Sequence, residues 1–349
     1  MKNRFNRILL GLIVLSFFTQ GCKNVSEDQK IEEHFLKFEI AKGDYEFGVP
    51  IGMSMLNNNL LINDFYGDTL VHCVDMDTWT TTRKIVSKGM GPGEVLAPIE
   101  LIVTDDSISV FSRPTMMMFK SSGCDLSTLT NVAIMPSVVS RIFQMGDNEY
   151  IASIVTLGND PQYGNARFIL LNSAGEVQYS FGEYPRIWSD EKDMPTDVLA
   201  NFHQIRGFCK LDSDSFAVVS SHVLSIYAKN QEGQYSLVTE KMMMPYEYDY
   251  NLSDGIATAQ GRLKEGFPKC ADGVAKLGDD LIVAFNMNEL PARNQNVDFL
   301  RYDNELSLKA IYHPATAVRA PFIISDDGSI IAFDDENDEF EIAISTPLD

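Results

Sequence analysis

A polar turn runs directly into an apolar strand at Gly278-Asp279-Asp280-Leu281-Ile282-Val283-Ala284-Phe285. The same order, in which Asp, Asn, Ser or Gly residues precede aliphatic or aromatic ones, occurs five more times. Those five segments are Asn57 to Ile62, Asp105 to Phe111, Gly146 to Ala152, Asp212 to Val219 and Asp326 to Phe333. Turn residues next to a short apolar run are typical of β-hairpins. The pattern therefore predicts an all-β protein.

The strands of these six units begin at regular intervals. Counted from Leu60 through Ile108, Tyr150, Phe216, Leu281 and Ile330, the steps are 48, 42, 66, 65 and 49 residues. A four-stranded propeller blade takes about 40 to 50 residues, so the two long steps are expected to contain insertions. A six-bladed β-propeller over residues 31–349 accounts for this spacing. The alternative, two β-sandwich domains, lacks an evident linker, because no Pro/Gly/Ser-rich stretch divides the body.

The two ends of the repeat are expected to complete one blade together. The sixth unit stops at Ile344, one strand short, and Phe35 to Ile40 is an unpaired strand at the other end. Pairing these two segments would close the ring and cover both strand edges.

A glycine-rich turn at Gly89-Met90-Gly91-Pro92-Gly93-Glu94 resembles a turn near the first blade of TolB-like six-bladed propeller lipoproteins of Bacteroidota. Segments 202–227, 266–267 and 322–328 resemble later parts of the same family, although Leu211-Asp212-Ser213 replaces the Pro-Asp-Gly turn expected in blade four. The resemblance implies the propeller fold and an envelope location. It implies no particular activity, because the family has no established general one.

The N-terminus has the features of an export signal. Basic residues between Lys2 and Arg7 precede an apolar stretch from Ile8 to Phe18, which is too short to span a bilayer. Thr19-Gln20-Gly21-Cys22 resembles the lipobox of bacterial lipoproteins, which implies cleavage after residue 21 and lipidation of Cys22, for example with palmitate. Residues 22–30 are then a polar tether. An ordinary secretory signal with a chance Cys is the alternative.

The residues around the lipidation site also indicate where in the cell envelope the protein is located. Lys23, in place of Asp, follows the Cys, which favours the outer membrane by resemblance to lipoprotein sorting rules. The acidic pair at 27–28 resembles a weak form of a surface-export tag. The periplasmic side and the cell surface both stay open.

The chain is strongly acidic, with 28 Lys and Arg residues against 49 Asp and Glu residues and a net charge of −21. Such a body repels phosphate backbones and anionic headgroups. Nucleic acid is therefore not expected as a partner, and contact with a membrane is expected only through the lipid anchor.

No motif points to a cofactor, a metal or a catalytic set. A nucleophile elbow, a His-Glu-x-x-His pair, a Walker loop and a Cys-x-x-Cys pair are all missing from the sequence. The acidic pairs Asp75/Asp77 and Asp212/Asp214 are interpreted as turn residues in preference to Ca²⁺ ligands. The loop 89–93 is interpreted as a structural turn in preference to a phosphate cradle, because Pro92 lacks an amide donor.

Four cysteines remain in the body, at Cys73, Cys124, Cys209 and Cys270. An even number in an oxidising compartment allows two disulfides, in three connectivities. Four small buried thiols in strands are the alternative.

The two insertions carry the candidate partner-binding residues. The first, 182–201, contains Tyr184, Arg186 and Trp188, and the second, 245–268, contains Tyr246, Tyr248 and Tyr250. Aromatic and Arg side chains on loops are suited to stacking on sugar rings or anchoring a protein. Both insertions are expected to rim one face of the propeller; alternatively, they fold back to cover blade edges or fill a groove.

The sequence thus predicts a binding or scaffold module for an envelope protein or a glycan. The alternative is a propeller glycan hydrolase or lyase with its residues at the central channel. That alternative requires two carboxylates about 5 to 10 Å apart, or a His–carboxylate pair with a shifted pKa, at the channel mouth.

Overall fold

The predicted turns fall between the first and second strands of their blades, and residues 105 and 106 of the blade-two turn lie outside the described residues. Asn57 and Asn58 connect Pro50–Leu56 to Asn59–Asp64, and Gly278 and Asp279 connect Pro268–Leu277 to Asp280–Glu289. Asn57 and Gly278 have φ angles of 52° and 59°. Gly and Asn adopt this left-handed conformation most readily, which is why the turns form at these residues.

The computed structural model describes residues 31–349 except 92–93, 105–106, 123–129, 155–161, 188–190, 193, 250–261, 267, 290–295, 335–338 and 349. The chain begins with β1 (Glu32–Leu36) and β2 (Phe38–Ile40). Blade one contains β3 (Pro50–Leu56), β4 (Asn59–Asp64), β5 (Thr69–Asp75), β6 (Thr80–Lys88) and the short parallel β7 (Glu94–Val95). Blade two contains β8 (Ile99–Thr104), β9 (Ser107–Ser112), β10 (Met117–Ser122) and β11 (Thr130–Ile134).

The next two blades flank the single described helix. Blade three contains β12 (Val139–Gly146), β13 (Glu149–Ile154), β14 (Phe168–Leu171) and β15 (Val177–Phe181), and α1 (Thr196–Phe202) follows it. Blade four contains β16 (Ile205–Lys210), β17 (Ser215–Ser220), β18 (Val223–Lys229) and β19 (Tyr235–Met242), and a small ribbon of β20 (Tyr248–Asp249) and β21 (Arg262–Leu263) follows it.

The last two blades take up the N-terminal strands. Blade five contains β22 (Pro268–Leu277), β23 (Asp280–Glu289), β24 (Val297–Tyr302) and β25 (Leu308–Pro314), with β1 as a fifth strand at its outer edge. Blade six contains β26 (Val318–Ile324), β27 (Ser329–Asp334) and β28 (Glu341–Pro347), and β2 completes it.

Six inner strands surround the central channel, in the order β3, β8, β12, β16, β22 and β26. Each is in contact with the next, and β26 returns to β3, so the ring is closed. The prediction of a six-bladed β-propeller is confirmed.

The core is divided among the blade interfaces, with one cluster of buried apolar side chains between each adjacent pair of blades. The second strands supply much of it: β9 and β27 are buried at every position. A fully buried Leu, Ile or Phe contributes about 1.5–3 kcal/mol relative to exposure. The ring is therefore held by apolar packing between neighbouring blades.

The N-terminal strand closes the ring as predicted, with one difference. Phe38 pairs with Ser345 and Ile40 with Ala343 in antiparallel register. The run from Phe35 to Ile40 is not one strand, however, because the chain leaves blade five after Leu36 and enters blade six at Phe38. Leu36 and Phe38 both enter the core between these two blades, which fixes the crossing at Lys37.

Candidate functional site

Both insertions lie at the same end of the ring. Because neighbouring strands in a blade are antiparallel, the connections between blades and the turns between second and third strands share one end of the strands. The chain after β15 and the chain after β19 are two such connections. We call this end the insertion face, and it includes Arg113, Arg167, α1 and the β20–β21 ribbon.

The first insertion is held together by two of the predicted site residues. Arg186 donates from Nη1 to the carbonyl oxygens of Glu191, Lys192 (2.9 Å) and Met194 (3.0 Å). The hydroxyl of Tyr184 donates to the carbonyl oxygen of Ile154 at 2.8 Å. Tyr184 is buried, and burial raises its pKa to about 12. These two side chains organise the loop from inside.

The second insertion packs on the first through its tyrosines. Tyr246 is buried and donates from its hydroxyl to Glu191 Oε1 at 2.9 Å. The ring of Tyr248 stacks on Phe202 of α1, with 4.1 Å between centroids and 6° between planes. Ser221, in the β17–β18 turn, donates to the carbonyl oxygen of Phe202 at 2.6 Å and fastens α1 to blade four.

The insertions thus meet on one face, and their described aromatic side chains point mainly inward. Tyr184 and Tyr246 have no surface to offer a partner, which corrects the expectation that they form surface contacts: their hydroxyls are used within the protein. Arg186 and Tyr248 are half-buried. Trp188 and Tyr250 lie outside the described residues, as does Cys22.

Glu191 is the centre of this packing, although no sequence motif marks it. Its carboxylate accepts from Tyr246, from the backbone amide of Ile187 at 2.8 Å and from His203 Nε2 at 3.2 Å. Burial lowers the pKa of His203, and the neighbouring Glu191 carboxylate opposes that shift. His203 and Glu191 are 0% and 3% exposed, so this pair supports the insertions and is closed to a substrate.

A polar cavity of about 250 Å³ lies beside the insertions, between blades two, three and four. Four of the chain's twelve arginines line it: Arg113, Arg141, Arg167 and Arg206. No Asp or Glu among the described residues lines it. Arg141 and Arg206 lie near the starts of successive inner strands. Each stands two residues before a Phe in the sequence, and this shared pattern could have pointed to both.

The cavity adjoins the mouth of the central channel, because Arg113 and Arg141 also line the larger channel pocket of about 520 Å³. Arg141 forms an ion pair with Glu100 (Nε to Oε1, 3.4 Å) and donates to the carbonyl oxygen of Arg206 at 3.0 Å. Burial raises the pKa of Glu100, while the charges of Arg141 and Arg113 oppose the rise.

Other candidate sites from the sequence have structural uses. Asp75 and Asp212 each accept from backbone amides two or three residues ahead, as turn-forming carboxylates do. Glu94 Oε2 accepts a hydrogen bond from the Gly91 amide at 2.7 Å, so this amide of the glycine turn binds a carboxylate of the chain itself. Within the described ranges, no cluster of three or more His, Cys, Asp or Glu side chains is arranged to hold a metal ion.

Cys73, Cys209 and Cys270 are free thiols on strands, and Cys124 lies outside the described residues. Burial raises the pKa of the Cys209 thiol to about 12 and that of the Cys270 thiol to about 11. In the part of the chain that the structure describes, no helix combines the length and the apolar character needed to cross a bilayer.

Comparison with known proteins agrees with this architecture. A protein of Bacteroides fragilis described as exported is 14% identical, with a TM-score of 0.61 over 91% of this chain and 99% of that one. A member of the DUF4221 family from Bacteroides vulgatus is 9% identical, with a TM-score of 0.55 over 90% of this chain and 98% of that one. At such identities the likeness shows the fold alone.

A luciferin-regenerating enzyme is also similar, at 8% identity and a TM-score of 0.51 over 90% of this chain and 96% of that one. No curated protein sequence matches the chain. The sequence model of the family described as TolB-like 6-blade propeller-like matches residues 31–276, well over half of the chain. With six blades present and this match over most of the ring, the chain belongs to the TolB-like 6-blade propeller-like family.

Proposed function

We propose that the protein is a lipid-anchored envelope protein whose propeller acts as a binding or scaffold module. The address rests on the sequence: an export signal, Cys22 in a lipobox-like context and a polar tether. The structural likeness to a Bacteroides fragilis protein described as exported supports the same location. The outer membrane is the favoured site of the anchor.

One observation carries the binding function: the two insertions pack into one layer on the insertion face, beside an arginine-lined cavity. The layer is fixed at its centre by Glu191 and at its base by the bond from Ser221 to Phe202. Ligand sites are commonly built on loops that a rigid scaffold holds in place, because less conformational entropy is then lost on binding. A propeller ring with a fixed loop layer meets this requirement.

The partner is an envelope protein or a glycan. Trp188, Arg186, Tyr248 and Tyr250 remain the candidate contact residues, whereas Tyr184 and Tyr246 support the layer from below. Aromatic rings and guanidinium groups suit both kinds of partner, because both stack and donate hydrogen bonds.

Affinity purification of the full-length protein from mildly solubilised envelopes, with mass spectrometry and glycan analysis of the eluate, tests this proposal. We expect a partner in stoichiometric amount that is lost on Trp188→Ala. Phe35→Ala is the matched control, because Phe35 is an aromatic residue that is 82% exposed and belongs to β1 of blade five. Recovery of the protein without a protein or glycan partner would count against the proposal.

A further inference from the structure

The arginine-lined cavity concentrates positive charge in an acidic chain. The protein carries a net charge of −21, yet Arg113, Arg141, Arg167 and Arg206 all line this space and no described carboxylate does. Like charges repel and cost free energy unless opposite charges lie between them. The carboxylate that pairs with Arg141 belongs to Glu100, which lines the neighbouring channel pocket instead.

Arg167 is the buried member of the set. Its residue exposure is 0%, and Nε, Nη1 and Nη2 all lack a hydrogen-bond partner among the described residues. Its guanidinium carbon lies 5.1 Å from the ring centre of Phe168 and 6.0 Å from that of Tyr184. Burying a guanidinium group without hydrogen bonds is unfavourable, so a site of this kind favours an anion that can accept them.

The groups that face Arg167 within the protein do not complete its hydrogen bonding. The buried Tyr227 hydroxyl interacts with the Arg167 guanidinium, but this contact does not have the geometry of a hydrogen bond. Burial raises the pKa of Tyr227 and of Glu240, and the charge of Arg167 opposes both shifts. Glu240 therefore balances part of the charge of Arg167 from a distance, while its carboxylate accepts a hydrogen bond from the Ser225 hydroxyl at 3.3 Å.

One guanidinium group at the cavity rim, that of Arg141, is held in a fixed orientation. The Arg141 guanidinium is oriented by Glu100 and by the carbonyl oxygen of Arg206. Arg113 donates a long bond of 3.5 Å to Ser140, and Arg113 and Arg206 are both exposed, which leaves their guanidinium groups accessible to a ligand. Guanidinium groups bind carboxylates and phosphates through paired hydrogen bonds, and groups oriented in advance lose less entropy on binding.

We infer that this cavity binds a small oxyanion, a carboxylate or phosphate group carried by a ligand no larger than about a monosaccharide. The inference rests on the proposed binding function and names the chemical class of one of its ligands. The size follows from the volume of about 250 Å³, below the range of about 300–1,000 Å³ that is usual for drug-sized ligands. Ser153, Asn201 and Gln204 also line the cavity and supply hydrogen-bond donors and acceptors for ligand hydroxyls.

Isothermal titration of the full-length protein in a non-ionic detergent tests the inference, with D-glucuronate and inorganic phosphate as probes. D-glucose is the neutral control, because it matches glucuronate in size and lacks the carboxylate. We expect one of the two anions to bind at 50 mM salt at least about tenfold more tightly than glucose, since hydrogen bonds to charged groups are stronger than those between neutral groups. Preference for glucuronate identifies a carboxylate ligand, and preference for phosphate identifies a phosphorylated one.

The double variant Arg113→Gln/Arg206→Gln locates the binding. Both side chains are exposed, so we expect the fold to be kept, as circular dichroism can check, and the anion affinity to fall at least about tenfold. Arg83→Gln is the matched control on the outer strand β6 and should bind like the parent. Arg167→Met should also lose binding, and the double variant keeps the test decisive if that protein does not fold.

Failure to bind either anion would overturn the inference, as would equal affinity in the parent and the double variant. An envelope partner recovered with the parent and lost on Trp188→Ala would then leave the binding-module proposal standing. If anion binding is present and no partner is recovered, the cavity inference holds and the partner proposal fails.

Discussion

Tyr246 and Glu191, 55 positions apart, join the two insertions through a hydrogen bond of 2.9 Å from the Tyr246 hydroxyl to Glu191 Oε1. Both residues are almost fully buried. The insertions follow different blades, so this bond makes a single layer of two connections that would otherwise be separate loops.

Glu191→Ala should destabilise the protein by about 3 kcal/mol, because it leaves the Tyr246 hydroxyl, the His203 ring and the Ile187 amide without their buried acceptor. Glu232→Ala, at an exposed turn position, is the matched control and should change stability by less than about 0.5 kcal/mol. Denaturant unfolding measures both. Equal stability of the two variants would show that Glu191 does not organise the layer.

His222 should make stability depend on pH. Burial lowers the pKa of His222 from 6.5 to about 4, so the folded protein keeps it neutral while the unfolded chain protonates it below 6.5. Its contribution to stability is fully present above that value and is lost as the pH falls towards 4. Between pH 7 and pH 5 the loss is about 2 kcal/mol.

Comparing the parent with His222→Gln isolates this effect, because the other titrating groups are common to both proteins. The stability difference between them should shrink by about 2 kcal/mol from pH 7 to pH 5 in urea unfolding. A difference that is the same at the two pH values would contradict a buried, neutral His222.

Closure of the ring by β2 predicts opposite results for two neighbouring phenylalanines. Phe38 is buried between blades five and six, so Phe38→Ala should cost about 3 kcal/mol. Phe35 is 82% exposed, so Phe35→Ala should cost less than about 0.5 kcal/mol. Thermal and urea unfolding of the pair is the measurement, and similar costs for both would argue against the observed crossing at Lys37.

Cys22→Ala should abolish incorporation of labelled palmitate and release the protein from the membrane fraction. Cys209→Ala is the control, because Cys209 lies on strand β16 of the propeller and should leave labelling unchanged. Labelling that persists in the Cys22→Ala variant would show that the acyl group is attached to another residue and would contradict a lipid anchor at Cys22.

Most of the ring could be predicted from the sequence because propeller blades repeat a local signal. Turn-forming residues precede each apolar second strand in the sequence, Asn57 and Gly278 with positive φ angles, and the spacing of these turns then counts the blades. The crossing at Lys37 could not be read in the same way. The apolar residues from Phe35 to Ile40 are compatible with one continuous strand or with two short ones. Only the packing of this segment against blades five and six decides between the two.

The site was less predictable because it depends on contacts between distant segments. Aromatic residues such as Tyr184 and Tyr246 are compatible with a loop whose side chains are exposed and with one whose side chains point inward. The inward orientation is set by hydrogen bonds from their hydroxyls to the Ile154 carbonyl oxygen and to Glu191. Arg113 and Arg167 stand in different turns, and they are brought to one cavity only by the arrangement of blades two and three.

Photo-crosslinking in living cells tests most directly whether partners bind at the insertion face. A photoreactive amino acid replaces Gln204, exposed beside the cavity, or Asp279, exposed in a turn at the opposite end of the strands. If partners bind at the insertion face, we expect an adduct with an envelope protein or a glycan from position 204 and none from position 279. Adducts from position 279 alone, or from neither position, would contradict it.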